Sequence, residues 1–274
     1  MTGLLDVHDL VKDFAVPRRD GFGKERLVAV EDVSFSIPPA GSLAIVGESG
    51  SGKSTTARVV VGLERATSGS LTVDGADWDP TRTVGTREQR ERGGMIQMVF
   101  QDPYQSLDRR QRIGDCLDEA LRLHTDLDRP ARRARVAELL DQVGLGENHA
   151  ESFPRGLSGG QRQRVAIARA LAAGPRILIL DEAVSALDLS VQAQVLRLLA
   201  RIRRETGVSY LFISHDLNVV RSVCDDVVVM RKGRVVESGD IARVLDSPAE
   251  SYTRRLIESI PRRGWTPRRR SQPV

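Results

Sequence analysis

Aromatic side chains are scarce, at 4% of 274 residues, and cysteine occurs only at Cys116 and Cys224. Two cysteines so far apart exclude a disulfide framework and a multi-cysteine zinc site. Both are expected to be small buried hydrophobes. No apolar run approaches the roughly 20 residues a helix needs to cross a bilayer. The first ten residues carry Asp6 and Asp9 and lack the basic-then-apolar order of a secretory leader. A cytosolic chain is expected, unless a partner holds it at a membrane.

A basic body is missing as well, although the net charge is +4. Residues 261–274 hold five arginines and no acid, so taking five from four leaves the remainder at −1. Charge confined to a tail offers no footprint for DNA or RNA. That tail, Arg262 to Arg270 among Pro261, Pro267 and Pro273, has little apolar content and is expected to be unstructured. Elsewhere, 40% hydrophobic and 28% charged residues are ordinary for a globular chain of one large or two small domains.

What is present begins with Gly47, Glu48, Ser49, Gly50, Ser51, Gly52, Lys53 and Ser54, a complete G-x-x-x-x-G-K-[ST] string. It follows the apolar run 43–46 and precedes a predicted helix from Thr55 to Gly62. Strand, turn and helix start together aim backbone N–H groups and a helix N-terminus at one anion. Glycines let the backbone wrap phosphate without Cβ clashes. Lys53 is expected at the β- and γ-phosphates of a nucleotide, and the Ser54 hydroxyl on Mg²⁺.

Strands are predicted at 4–11, 33–37 and 70–75, with a loop from Pro17 to Arg26. Residues 81–94 are charged and predict an exposed helix or connector. Val136, Leu139, Leu140 and Val143 form one apolar helical stripe, with Gly144 where a C-cap belongs. The continuous runs 177–180, 210–213 and 227–230 predict strands buried on both faces of a parallel sheet. Asp181 and Glu182 end the first of these. Adjacent buried carboxylates are costly unless cations or hydrogen bonds offset them, which fits Asp181 on Mg²⁺ and Glu182 as the base for attacking water. His215 ends the next run and is expected to sense the γ-phosphate. In an open α/β sheet those carboxyl ends line the ligand crevice. Ser158, Gly159, Gly160 and Gln161 open another predicted helix, so a second anion turn competes with a plain helix cap on Ser158.

The string Leu-Ser-Gly-Gly-Gln at 157–161, between the phosphate loop and Ile-Leu-Ile-Leu-Asp-Glu at 177–182, resembles the signature of ATP-binding cassette (ABC) subunits. The resemblance covers nearly the whole chain. It implies an α/β fold: a P-loop core sheet of RecA type, an N-terminal antiparallel β subdomain and a helical signature subdomain at about 102–160. Residues 1–246 would form the nucleotide-binding cassette, and 247–274 a C-terminal extension with the Arg-rich tail. The implied activity is ATP hydrolysis for transport, with ATP and Mg²⁺ as ligands. Two cassettes close head to tail, so that Ser158 and Gly160 of one meet the γ-phosphate held by Lys53 of the other. The same resemblance makes Gln101 a link between Mg²⁺, water and the membrane subunit, and Asp188 the acidic member of a loop crossing between cassettes. Phe14 becomes the ring stacked on adenine, and Thr55 a further phosphate-loop contact.

Residues 99–107, 184–194 and 247–256 are similar to oligopeptide and dipeptide importer cassettes. The chain departs from them at Glu250-Ser251, where His-Pro is usual, at Asp108-Arg109-Arg110 for Asn-Pro-Arg, and at Ala183 for Pro. The expected partners are a second cassette, two transmembrane permease subunits and, indirectly, an extracytoplasmic solute-binding protein, with no nucleic acid. The chain would sit on the cytoplasmic face of the cell membrane. Asp102, Pro103, Tyr104 and the stretch to His124 are expected to dock a coupling helix, with Tyr104 and Leu107 in contact. Non-transport ABC ATPases are the alternative. Ribosome-associated ones usually carry two cassettes, and DNA-repair ones a long coiled coil that the 55 residues from 102 to 156 cannot hold.

Overall fold

Alternation within the apolar runs decides the architecture. The computed structural model describes residues 3–18, 21, 23–102 and 107–259. Strands β3 (Ser42–Val46), β6 (Ile96–Val99), β7 (Ile177–Asp181), β8 (Ser209–Ser214) and β9 (Asp226–Arg231) are parallel neighbours. Leu43, Ile45, Ile177 and Ile179 enter one core, while Ala44, Val46, Leu178 and Leu180 enter a second. Successive side chains point to opposite faces, so one run of each strand feeds both layers. The order is β10–β9–β3–β8–β7–β6, with β10 (Arg234–Asp240) antiparallel at one edge.

An antiparallel sheet in the order β2–β1–β4–β5 covers the first core. It comprises β1 (Leu5–Pro17), β2 (Lys24–Ile37), β4 (Ser68–Val73) and β5 (Ala76–Trp78). Helix α1 (Lys53–Val60) contributes Ala57, Val59 and Val60 to the same core. The predicted loop at 17–26 is shorter than expected, because the ladder continues through Val16↔Glu25 and Pro17↔Lys24. Those positions are largely exposed, so main-chain pairing holds them without the alternation that would reveal a strand.

The second core lies under the helices. Helix α2 (Thr86–Met95) buries no residue and is the expected exposed connector. Helices α3 (Ile113–His124) and α4 (Arg129–Gln142) pack on α5 (Gly159–Ala172), which also packs on β6. The Asp128 carboxylate caps α4 by accepting from Ala131 N at 2.9 Å, its predicted stripe is buried, and the chain turns at Gly144 with φ 69°. Helices α6 (Leu189–Thr206), α7 (Leu217–Arg221), α8 (Ile241–Asp246) and α9 (Ser251–Glu258) complete the chain. Cys116 and Cys224 are free and buried, and burial pushes both thiols up. Leu107 is 4% exposed within this core, which corrects its expected place on a docking surface. Tyr104 and the Arg-rich tail lie outside the described residues. Among the described residues no helix is long and apolar enough to cross a membrane.

Candidate active site

Registers Val46↔Ser214, Asp181↔Ile213 and Val99↔Leu180 bring the ends of four parallel strands level. Each strand then releases its functional residues at one edge of the sheet, where an open α/β sheet carries its ligand crevice. The phosphate loop leaves β3 through Gly47, whose φ is 149°. A Cβ there would overlap the Met230 carbonyl oxygen and lie 2.8 Å from Ser51 Oγ, so only glycine fits. Lys53 is 5% exposed, and its ammonium donates to the carbonyl oxygens of Gly47 and Glu48, each at 2.8 Å. Burial pushes this lysine below its usual range, against the opposing pull of Glu182 and Asp181. The hydroxyl of Ser51 is buried with no hydrogen-bond partner among the described residues. A cradle with a spare buried donor, a buried cation and a helix N-terminus matches a phosphate chain.

Across the edge, Ser54 Oγ donates to Asp181 Oδ1 at 2.8 Å. Burial raises the Asp181 carboxyl above the ordinary carboxylate range, and the Ser54 hydrogen bond only partly counters it. Glu182 turns the chain sharply, with φ 48°, in a region costing a non-glycine residue roughly 1–3 kcal/mol. Its backbone is held on both sides: Glu182 N donates to Ile213 O at 2.9 Å, and Ser185 N and Oγ donate to Glu182 O at 3.1 and 2.9 Å. The turn separates the roles of two neighbouring carboxylates. Asp181 faces Ser54, whereas Glu182 accepts from Gln101 Nε2 at 3.1 Å and lies 3.4 Å from His215 Nδ1. Glutamine, glutamate and histidine from three strand ends thus form one cluster around a single carboxylate.

The turn at 158–161 is a reciprocal cap. Ser158 Oγ accepts from Gln161 N at 3.2 Å, and Gln161 Oε1 accepts from Ser158 N at 2.9 Å. The plain capping reading of Ser158 is therefore realised in the fold. The far end of the Gln161 amide lies 3.3 Å from His149 Nε2, so this side chain is spent on shaping the turn. A Cβ on Gly160 would overlap Val191 Cγ1, so this glycine lets α5 and α6 meet.

The family model described as "ABC transporter" matches residues 30–185, which include the phosphate loop, the signature turn and the Asp181-Glu182 pair. The chain belongs to the ABC transporter family. It is an ATP-binding cassette with that family's ATP hydrolase activity. A di/tripeptide transport ATP-binding protein of Pseudomonas aeruginosa is 43% identical over 261 residues, covering 95% of this chain and 80% of that protein. Among solved structures, an ATP-binding cassette in a dimeric post-hydrolysis state, bound to ADP and Pi, superposes with TM-score 0.74 and 29% identity. The match covers 86% of this chain and 98% of that one. A Clostridium perfringens cassette, part of the ABC transporter complex cbiONQ, gives TM-score 0.76 and 29% identity over 90% and 92% of the two chains.

Within this cassette, Phe14 lies on β1 opposite Leu27, with the Lys12 ammonium 4.6 Å from its ring centroid. Asp188 precedes α6 without capping it through its side chain, and Thr55 lies in α1. Two contributors lie in the importer-like stretches 184–194 and 247–256, which assign them no role at this site. Ser185 stands 3.5 Å from Gln101 Nε2 and braces Glu182; its position three residues after the glutamate was the available signal. Tyr252 reaches the phosphate loop, a contact that nothing local in the sequence marks. Among the described residues no group of three or more His, Cys, Asp or Glu could hold a metal alone. The Ser54 and Asp181 oxygens are nonetheless hard donors that suit Mg²⁺ held jointly with substrate phosphates.

Proposed function

We propose that this chain is the ATP-hydrolysing subunit of a peptide-type importer, driving solute through partner membrane subunits. The observation that carries it is the convergence of Lys53, the Ser54–Asp181 pair and the Gln101–Glu182–His215 cluster on one sheet edge. The peptide class rests on the di/tripeptide transport relative, together with the importer-like stretches 184–194 and 247–256.

In this reading Gly47 to Thr55 cradle the ATP phosphates, and Lys53 exchanges the Gly47 and Glu48 carbonyls for phosphate oxygens. Ser54, Asp181 and Gln101 would hold Mg²⁺, which neutralises phosphate charge. Phe14 stacks on adenine. Glu182 takes a proton from the attacking water, and His215 holds the γ-phosphate beside it. A second cassette, the same chain or a paralogue, presents its own Ser158, Gly159 and Gly160, with Gln161 keeping the turn in shape and Asp188 at the crossing. Closure excludes water and aligns the γ-phosphate, so hydrolysis waits for the dimer. Residues 1–246 serve as the cassette and 247–274 as its extension. The assembly sits at the cytoplasmic membrane face with two permeases, which receive solute from an extracytoplasmic binding protein.

Affinity capture of the full chain from native membranes tests this reading. Two permease-like proteins and a second cassette should be recovered, and Lys53→Ala should abolish ATP-driven peptide uptake. Recovery with ribosomes or DNA instead, or peptide uptake undiminished by Lys53→Ala, would sink it.

A further inference from the structure

The first peptide of the phosphate loop is gripped from both edges. Lys53 Nζ donates to Gly47 O at 2.8 Å, and Glu48 N donates to the Tyr252 hydroxyl at 3.3 Å. Gly47 O and Glu48 N belong to one planar trans peptide, so they point in opposite directions. The lysine therefore holds the inner edge, and the tyrosine the outer edge. Gly47 has no side chain to resist rotation of this plane, which makes outside support consequential.

Tyr252 is itself well seated. It is 5% exposed on α9, and the Arg231 guanidinium lies 5.0 Å from its ring centroid. The Glu237 carboxylate on β10 accepts from Ala249 N at 2.8 Å and Glu250 N at 3.2 Å, anchoring the start of that helix. The turn after β9 adds a further hold, with Gly233 N donating to Ser51 O at 3.0 Å.

We infer that Tyr252 is a positioning residue for ATP: its hydroxyl fixes the Gly47–Glu48 peptide and presets the phosphate loop. This rests on the ATP-site reading above. Lys53 must leave the loop carbonyls to reach phosphate, and from then on Tyr252 is the outer hold on that plane. The C-terminal helix thereby sets nucleotide affinity without touching nucleotide.

The test is Tyr252→Phe in the full chain, which deletes one hydroxyl and keeps the ring on Arg231. The Kd for MgATP and the KM should rise roughly 3–10-fold, the range one hydrogen bond supports, with kcat unchanged. Amide exchange at Glu48, followed by NMR without nucleotide, should accelerate. Glu237→Gln, which loosens the helix start while leaving the loop intact, should move affinity and exchange in the same direction. Faster exchange with unaltered Kd and KM, or a loss confined to kcat, overturns the positioning role. Unaltered exchange overturns the hydrogen bond itself. A wild-type chain that binds no ATP, with the exchange effect intact, faults the ATP reading and removes the tether's purpose.

Discussion

Asp181 and Glu182 are neighbours with opposite circumstances, and each yields a test. Burial raises the Asp181 carboxyl, so the folded chain holds that proton more tightly than the unfolded chain does. The associated stability is present below the unfolded value and is lost as pH rises through the folded one. Above the folded value the ionised group works against the fold. Asp181→Asn should therefore raise the thermal midpoint at about pH 8, lose that advantage near about pH 4, and abolish ATP turnover. Melting curves with no gain at the higher pH would contradict this. Glu182 is held at the edge by Gln101 and beside His215. Glu182→Gln keeps the shape and removes the base, so nucleotide affinity should persist while turnover falls about 10²–10⁴-fold. Steady-state ATPase rates beside equilibrium binding decide it. Normal turnover would reassign the base.

Helix α5 shows how one element carries both packing and chemistry. Its reciprocal Ser158–Gln161 cap satisfies orphan N–H groups, and Gly160 brings α5 against Val191 at the start of α6. Gly160→Ala should lower stability by about 1–3 kcal/mol through overpacking. Adding Val191→Ala should restore the melting temperature by removing the struck methyl. If Gly160 also meets the partner cassette's γ-phosphate, the double variant should regain its fold and still turn over ATP slowly. Full recovery of both fold and turnover would confine Gly160 to packing.

The whole molecule leaves a groove between the β6 edge and α3, bordered by Met98, Phe100, Ala120, Leu123 and His124. Leu123 is 51% exposed there, whereas Leu107 belongs to the core. Coupling to a membrane subunit is accordingly expected at Leu123. Leu123→Glu should leave stability within about 0.5 kcal/mol, as exposed substitutions do, and leave ATP affinity intact. In reconstituted transporter it should uncouple ATP turnover from uptake. Transport at the wild-type ratio to hydrolysis would remove this groove from the coupling route.

By itself the sequence determined the phosphate loop, the buried strands, the signature turn and the strand-end residues. Each of these is written in local terms: glycines where a backbone must wrap, apolar runs that feed two cores, and polar residues at the stop of a run. Charged β-hairpin ends were illegible, because exposed ladder positions such as Pro17↔Lys24 need no apolar alternation. Only the tertiary structure decided that β8 lies between the phosphate-loop strand and the Asp181 strand, which sets Ser54 against Asp181 across 127 residues. It alone separated Asp181 from Glu182 through a left-handed turn, buried Leu107, and carried Tyr252 to Glu48 across 204 residues. Strand order and helix docking depend on how distant surfaces fit, and no short window of sequence contains both partners.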